Sequence, residues 1–332
     1  MTTTPTPRRL LGGVLGGALA VLAAASAAQA APAAPTAPSR PGAATAAVTG
    51  SVAPRDAAVS VGRLVFEPTD RGHLGSLPVT VTYRGTEPGY LNLTVVEPVA
   101  GSFEGLTPND ACLFGWAPDG RRRSIHCGVP DGALAPGERR SFTVDFWAPT
   151  APRDHAMSLA GGEVSVYSDD PADGVTKPFD TLFRSTTGSL RNPRPYVQDT
   201  ETDATVTAGT ARLLRQADGS YAGRLPVTIR YAGDAGNDFL SVDFTLPDGV
   251  QIEGIEPTEV CAGNWCAIPG DSFAAGEERT VELLFSAPTG TTAGQLGTGT
   301  LSLTTSLFVD DIPDVDPSDN TASFDVDAVD AA

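Results

Sequence analysis

The chain has 332 residues, of which 22 are Lys or Arg and 40 are Asp or Glu, for a net charge of −18. A molecule this acidic excludes a nucleic-acid binder resting on a basic surface, because like charge repels the phosphate backbone. Its 36 Gly and 28 Pro argue against long helices and for many short strands joined by turns.

Residues 1–30 read as a secretory signal peptide. Arg8 and Arg9 give a positive start, Leu10 to Ala25 is an apolar run, and Ala28-Gln29-Ala30 is a small-x-small cleavage site. The run is too short and Gly-rich for a stable membrane span. The paired arginines also fit the twin-arginine route, with general secretion the simpler reading. Residues 31–54 are Ala, Pro, Thr, Ser and Gly with little bulky apolar surface, the composition of a disordered linker. No second apolar stretch approaches membrane-spanning length, and the acidic C-terminus carries no sorting tail, so release from the cell, or retention by non-covalent contacts only, is expected. A single Lys, Lys177, among 21 Arg looks like a high-GC bacterial coding bias.

Two strand-rich units follow, at 55–190 and 203–330, with the Pro-broken segment 191–202 as a linker. They repeat each other. Leu77-Pro78-Val79-Thr80-Val81-Thr82-Tyr83 matches Leu225-Pro226-Val227-Thr228-Ile229-Arg230-Tyr231, and Phe146-Trp147-Ala148-Pro149-Thr150 matches Phe285-Ser286-Ala287-Pro288-Thr289. Alternation of Val79, Val81 and Tyr83, of Phe142, Val144 and Phe146, and of Val281, Leu283 and Phe285 with polar neighbours marks strands buried on one face. Asp119-Gly120, Pro136-Gly137, Asp218-Gly219 and Asp248-Gly249 supply turns. About seven or eight strands per unit is the signature of an all-β fold of two tandem Ig-like β-sandwich domains.

Each unit holds two of the four cysteines. Four cysteines allow three pairings, and the repeat selects Cys112 with Cys127 and Cys261 with Cys266. The repeat offset changes between the members of the two pairs, so about ten residues separate the lengths of the two cysteine loops. Zinc is disfavoured because the second unit has no His, and no Cys-x-x-Cys redox pair is present.

The second unit carries a further pattern: Leu246-Pro247-Asp248-Gly249-Val250, the cysteine pair, Ala275-Gly276-Glu277, and Asp316-Pro317-Ser318-Asp319-Asn320-Thr321-Ala322. From Thr205 to Asp327 this resembles the bacterial conserved-repeat Ig-like domain of exported and surface proteins. Asp319 stands where that family has Asn, Ala232-Gly233-Asp234 replaces its N-x-G, and the first unit has lost the final Asn-Thr-Ala. The resemblance implies an extracellular sandwich with a scaffolding or adhesive role and brings no catalytic residues. Independently of the family, Asp319 and Asn320 are expected to hold a turn with Pro317, ahead of a last strand in which Ala322, Phe324 and Val326 alternate with polar residues.

No phosphate loop, nucleophile elbow or metalloprotease motif is present. Ser124 and His126 are two apart, but no acid partner accompanies them. Arg121-Arg122-Arg123 reads as a solvated basic loop or a dock for an anion. Asp310, Asp311, Asp314, Asp316, Asp319 and Asn320 read as a candidate calcium site, since calcium takes six to eight oxygens, or as a solubilising loop; the spacing is not an EF-hand. Asp169, Asp170 and Asp173 form a thinner version. Trp116 and Trp265, inside the cysteine loops, either stack on a sugar or pack over a disulfide. The chain therefore reads as a secreted non-catalytic structural or adhesive protein built of Ig-like modules, with calcium as a candidate stiffening ion. The alternatives are a ligand-binding module for cell-wall glycan or an extracellular protein partner, and an accessory module to a secreted hydrolase.

Overall fold

The computed structural model describes residues 56–330. The signal peptide and linker readings for 1–30 and 31–54 fall outside the described residues. Wherever β-branched and aromatic residues alternate with polar ones, the chain is a strand. The first sandwich comprises β1 (Ala57–Val61), β2 (Leu64–Thr69), β3 (Gly72–Tyr83), β4 (Asn92–Val96), β5 (Phe103–Thr107), β6 (Cys112–Trp116), β7 (Arg123–Gly128), β8 (Arg139–Ala148), β9 (Met157–Tyr167), β10 (Val175–Phe183) and β11 (Arg194–Pro195). The second comprises β12 (Ala204–Ala208), β13 (Ala211–Arg215), β14 (Tyr221–Tyr231), β15 (Phe239–Thr245), β16 (Gln251–Glu256), β17 (Cys261–Ala262), β18 (Trp265–Ala267), β19 (Glu277–Ala287), β20 (Gly294–Leu307), β21 (Asp310–Asp311) and β22 (Thr321–Val329). One short 3₁₀ turn, Pro171–Asp173, is the sole helical element among the described residues.

The two ladders share one topology. The order β5-β8-β3-β2-β10-β9-β4-β7-β6 recurs as β16-β19-β14-β13-β22-β20-β15-β18-β17. In register, Leu77 lies opposite Val144 and Val79 opposite Phe142, as Leu225 lies opposite Leu283 and Val227 opposite Val281. All eight are buried, and each sandwich encloses its own core. This is the period-two pattern of a sheet with one dry face.

The Leu-Pro-Val motif has a topological role. On one side of β3, β2 pairs with Gly72–Leu74 and β1 pairs with Val79–Tyr83. Pro78 lies in the gap, where the first strand hops between layers, and its carbonyl accepts from Gly62 N at 2.7 Å. A residue's N–H and C=O point to the same side of a strand, so the donor that proline lacks would face the break in the ladder. Pro226 occupies the matching gap between the β13 and β12 pairings, with Gly209 N donating to it at 3.2 Å.

Both disulfides are present, Cys112–Cys127 and Cys261–Cys266, each across an edge hairpin. In β6–β7 five residue pairs are in register and the loop is 117–122, whereas in β17–β18 two pairs flank Gly263-Asn264. Three more pairs and four more loop residues account for the ten-residue difference between the repeats. The extra length is an elongated hairpin rather than only a surface loop.

The segment 191–202, read from sequence as a linker, is built into the fold. Arg194 N donates to Ala156 O and Tyr196 N to Ser158 O, both at 2.9 Å. Pro193 and Pro195 alternate with these donors, so the missing N–H groups face away from β9, as an edge strand requires. Tyr196 then enters the first core, its ring 4.8 Å from that of Phe183.

Candidate functional site at the junction of the sandwiches

Both sandwiches belong to one compact unit, Ala53–Ala332, and the elongated hairpin is part of what joins them. Alternation along β6 sends Phe114 and Trp116 to the same side, where both meet Phe308 of the second sandwich at ring distances of 6.4 and 5.6 Å. Phe308 opens the two-residue turn between Leu307 and Asp310. Its φ of 62° is a conformation that position normally reserves for Gly. Its N–H donates to both carboxylate oxygens of Asp238 at 2.9 Å, which helps hold the strained turn in place.

Asp238 is also 3.6 Å from the Arg123 guanidinium. Arg123 is buried, lies over the Phe114 ring at 5.3 Å, and pairs at 3.1 Å with Glu97, which is fully buried. Glu97 also accepts from the backbone N–H groups of Gly101, Phe103 and Arg123. A charge inside the first sandwich is thereby linked through one arginine to a turn of the second. The Arg121–Arg123 run is thus not simply a solvated loop. Arg123 is interior, and Arg122 bonds Asp119 Oδ2 and the carbonyls of Glu97 and Gly161. Arg121 alone of the three is exposed, and its guanidinium has no ion pair among the described residues.

A second set of bonds lies under the hairpin. Tyr196 donates its hydroxyl to Asp234 Oδ2 at 3.0 Å. Asp234 Oδ1 accepts from Asp199 N at 2.9 Å while Asp234 N donates to Asp199 Oδ2 at 3.1 Å. Burial pushes the Asp234 carboxyl above the usual carboxylate range, against the hydrogen bonds it accepts. Burial, reinforced by the Asp234 charge, likewise raises the Tyr196 phenol. Gln198 bonds Ala100 at both N and O. Ala275 N donates to Pro149 O at 2.8 Å, and Arg71 reaches Ser272 O and Glu277. Backbones touch directly: a Cβ on Gly236 would stand 2.4 Å from Ala100 O, and one on Gly101 would stand 3.3 Å from Gly236 Cα.

Beside these contacts lies a cleft of about 190 Å³, lined among others by Trp116, Arg121, Gln198, Asp199, Asp310 and Asp311. It brings together four of the sequence candidates, Trp116, Arg121, Asp310 and Asp311. The rest of the acidic run lies apart. Asp314 accepts from the Thr202 hydroxyl and Ala204 N, and Asp316 from Ser318 N and Oγ. Turn-holding falls to Asp314 and Asp316, because each carboxylate sits two residues before the N–H it accepts. Asp319 and Asn320, expected to hold the turn, each leave a side-chain Oδ1 without a partner. Burial raises the Asp319 carboxyl, and the Asp316, Asp314 and Asp203 charges add to the shift. Among the described residues no three acidic, His or Cys side chains are grouped to hold a metal ion. Trp265 packs against Phe239 at 6.1 Å. Ser124 Oγ is 3.3 Å from His126 Nε2, but His126 Nδ1 meets the Thr94 hydroxyl and no carboxylate.

Sequence reasoning missed Glu97, Tyr196, Asp234, Gly236, Asp238 and Phe308, whose partners lie far off in the chain. Two signals pointed towards them: the ten-residue difference between cysteine loops, and the replacement of the family's N-x-G by Ala232-Gly233-Asp234.

No helix among the described residues is long and apolar enough to cross a membrane. No protein-family model matches the chain, and no curated protein sequence matches it. Among solved structures it is similar to a protein of unknown function from Porphyromonas gingivalis W83, at 13% identity over 82% of this chain and 99% of that one, TM-score 0.20. It is similar to the CARDB domain of a Pyrococcus furiosus protein in complex with di-metal ions, at 20% identity over 40% and 94%, TM-score 0.24. It is also similar to the CupB6 tip adhesin from Pseudomonas aeruginosa, at 10% identity over 84% and 99%, TM-score 0.25. The fold assignment stands on the strand ladders themselves.

Proposed function

We propose that this is an exported, non-catalytic structural or adhesive protein whose two sandwiches act as one stiff body. The observation that carries the reading is the junction: an elongated hairpin, the Arg123–Asp238 pair with Arg123 held from behind by buried Glu97, and direct Gly101–Gly236 contact fix one sandwich on the other. A flexible tether needs none of these, whereas a load-bearing or surface-presenting pair does. Two disulfides support an oxidising compartment, and the resemblance of 205–327 to the conserved-repeat Ig-like family supports the surface role.

A second reading, a ligand-binding module, is favoured by one feature, the cleft at Trp116. The test of the adhesive reading is sedimentation of the purified mature protein with envelope fragments of its own cell. Retention is expected, with no soluble product released, and Gly236→Val is expected to weaken it by loosening the pair. Protein that stays wholly in the supernatant, or that releases product from the fragments, would overturn the reading.

A further inference from the structure

We infer that the cleft between the sandwiches is a binding site for a neutral oligosaccharide of at least two sugar units, an inference that rests on the adhesive reading and names what the surface would recognise. The cleft combines an aromatic ring with polar groups of both signs. Trp116 is half-buried, its ring braced by Phe308, so a face can stay on the cleft at little entropic cost. Asp310 and Asp311, from the second sandwich, are exposed in the cleft lining, as is Arg121 from the first. A sugar ring has an apolar C–H face for the indole and hydroxyls that both donate and accept. Carboxylates take the donated hydrogens, and the Arg121 guanidinium supplies donors.

The charges select among ligands. From Asp199 onward the chain has 23 acids against five arginines, so a polyanionic glycan is repelled. A neutral hydroxylated ligand is not repelled, and Arg121 gives it a donor that a cation, having no acceptor, could not use.

Length follows from the neighbouring hollow. A second depression of about 340 Å³, edged by Leu159, Tyr196 and Val197, shares Ala100, Arg121 and Gln198 with the first. Arg121 stands between them, placed to contact consecutive units of a linear chain. The floor is rigid, since Gln198 is bonded on both sides. The second sandwich has no counterpart: its hairpin is two pairs long and Trp265 is turned onto Phe239.

The test is titration calorimetry of the mature protein with the hexamers of N-acetylglucosamine and of β-1,4-glucose, with polygalacturonate and a lysine hexapeptide as charged probes. At least one neutral hexamer is expected to bind in the micromolar-to-millimolar range. Trp116→Ala is expected to weaken it about tenfold or more. Because Trp116 also packs at the junction, Arg121→Ala, which removes only an exposed side chain, is the second variant and is expected to weaken binding with the melting temperature unchanged. Arg215→Ala, outside the cleft, should bind as wild type. Failure of both neutral hexamers to bind at millimolar concentration, binding of the lysine peptide alone, or binding unchanged in both cleft variants would overturn the inference. Envelope sedimentation that persists in such a case would leave the adhesive reading standing, whereas loss of sedimentation by the wild type would remove that reading itself.

Discussion

Arg123 is a residue whose worth cannot be judged from its charge. On the surface an arginine–carboxylate pair contributes little, but here the partner, Glu97, is 0% exposed and its other acceptor sites are taken by backbone N–H groups. Removing the guanidinium strands a buried carboxylate. Arg123→Ala is therefore expected to cost about 3–5 kcal/mol in urea unfolding. Replacing both partners, Arg123→Met with Glu97→Gln, should recover much of that loss, because no uncompensated charge remains. A loss under 1 kcal/mol for the single variant would show that water reaches Glu97 and that the pair is not the anchor described above. Phe308 makes the complementary point: a bulky residue at φ 62° is tolerated because Asp238 and two aromatic rings over-determine it.

The β6–β7 hairpin is the element that turns a repeat into a junction. Its disulfide closes a separation of 15 residues, against five in the second sandwich. In the chain-entropy picture the longer loop contributes about 3 kcal/mol and the shorter one less. Cys112→Ser with Cys127→Ser is expected to lower the melting temperature more than Cys261→Ser with Cys266→Ser. It should also expose Trp116, seen as a red shift of its fluorescence; equal losses from the two double variants would contradict this. The segment 310–320 is another element whose chemistry is local. Asp314 and Asp316 already accept hydrogen bonds from the chain, and among the described residues no three carboxylates are grouped to hold a metal ion. Millimolar calcium is accordingly expected to leave the melting temperature unmoved, and a rise reversed by a chelator would restore the ion-stiffened picture.

At the scale of the whole molecule, the Asp199–Asp234–Tyr196 network is expected to make stability pH-dependent. Burial holds the Asp234 carboxyl above its ordinary value, so the proton is bound more tightly in the folded protein than in the unfolded chain. Such a group contributes stability that is present below its unfolded value, about 4, and is lost as pH rises through its raised native value. Asp234→Asn cannot titrate. The melting temperature of the variant minus that of the wild type is expected to become more positive from about pH 4 upward, whatever the cost of the one lost acceptor. A difference independent of pH would place Asp234 in solvent.

Much of this architecture was legible from residue order. Period-two runs such as Val79-Thr80-Val81, and turn pairs such as Asp218-Gly219, act over a few residues, so they betray strands and hairpins without any partner being known. The repeat added the cysteine pairing, because two copies of one topology must pair their cysteines alike. The junction was beyond reach of such reasoning. Pro193 and Pro195 signalled a break, yet the N–H groups between them complete an edge of β9, which only the strand's position reveals. Tyr196 with Asp234, Arg123 with Asp238, and Phe308 with Trp116 are separated by long stretches of chain. Local sequence determined two all-β sandwiches, each with its sulfur bridge. Tertiary structure alone decided that they pack against each other with a cleft between them, because contacts across an interface depend on where two finished surfaces meet and leave no periodicity in either strand.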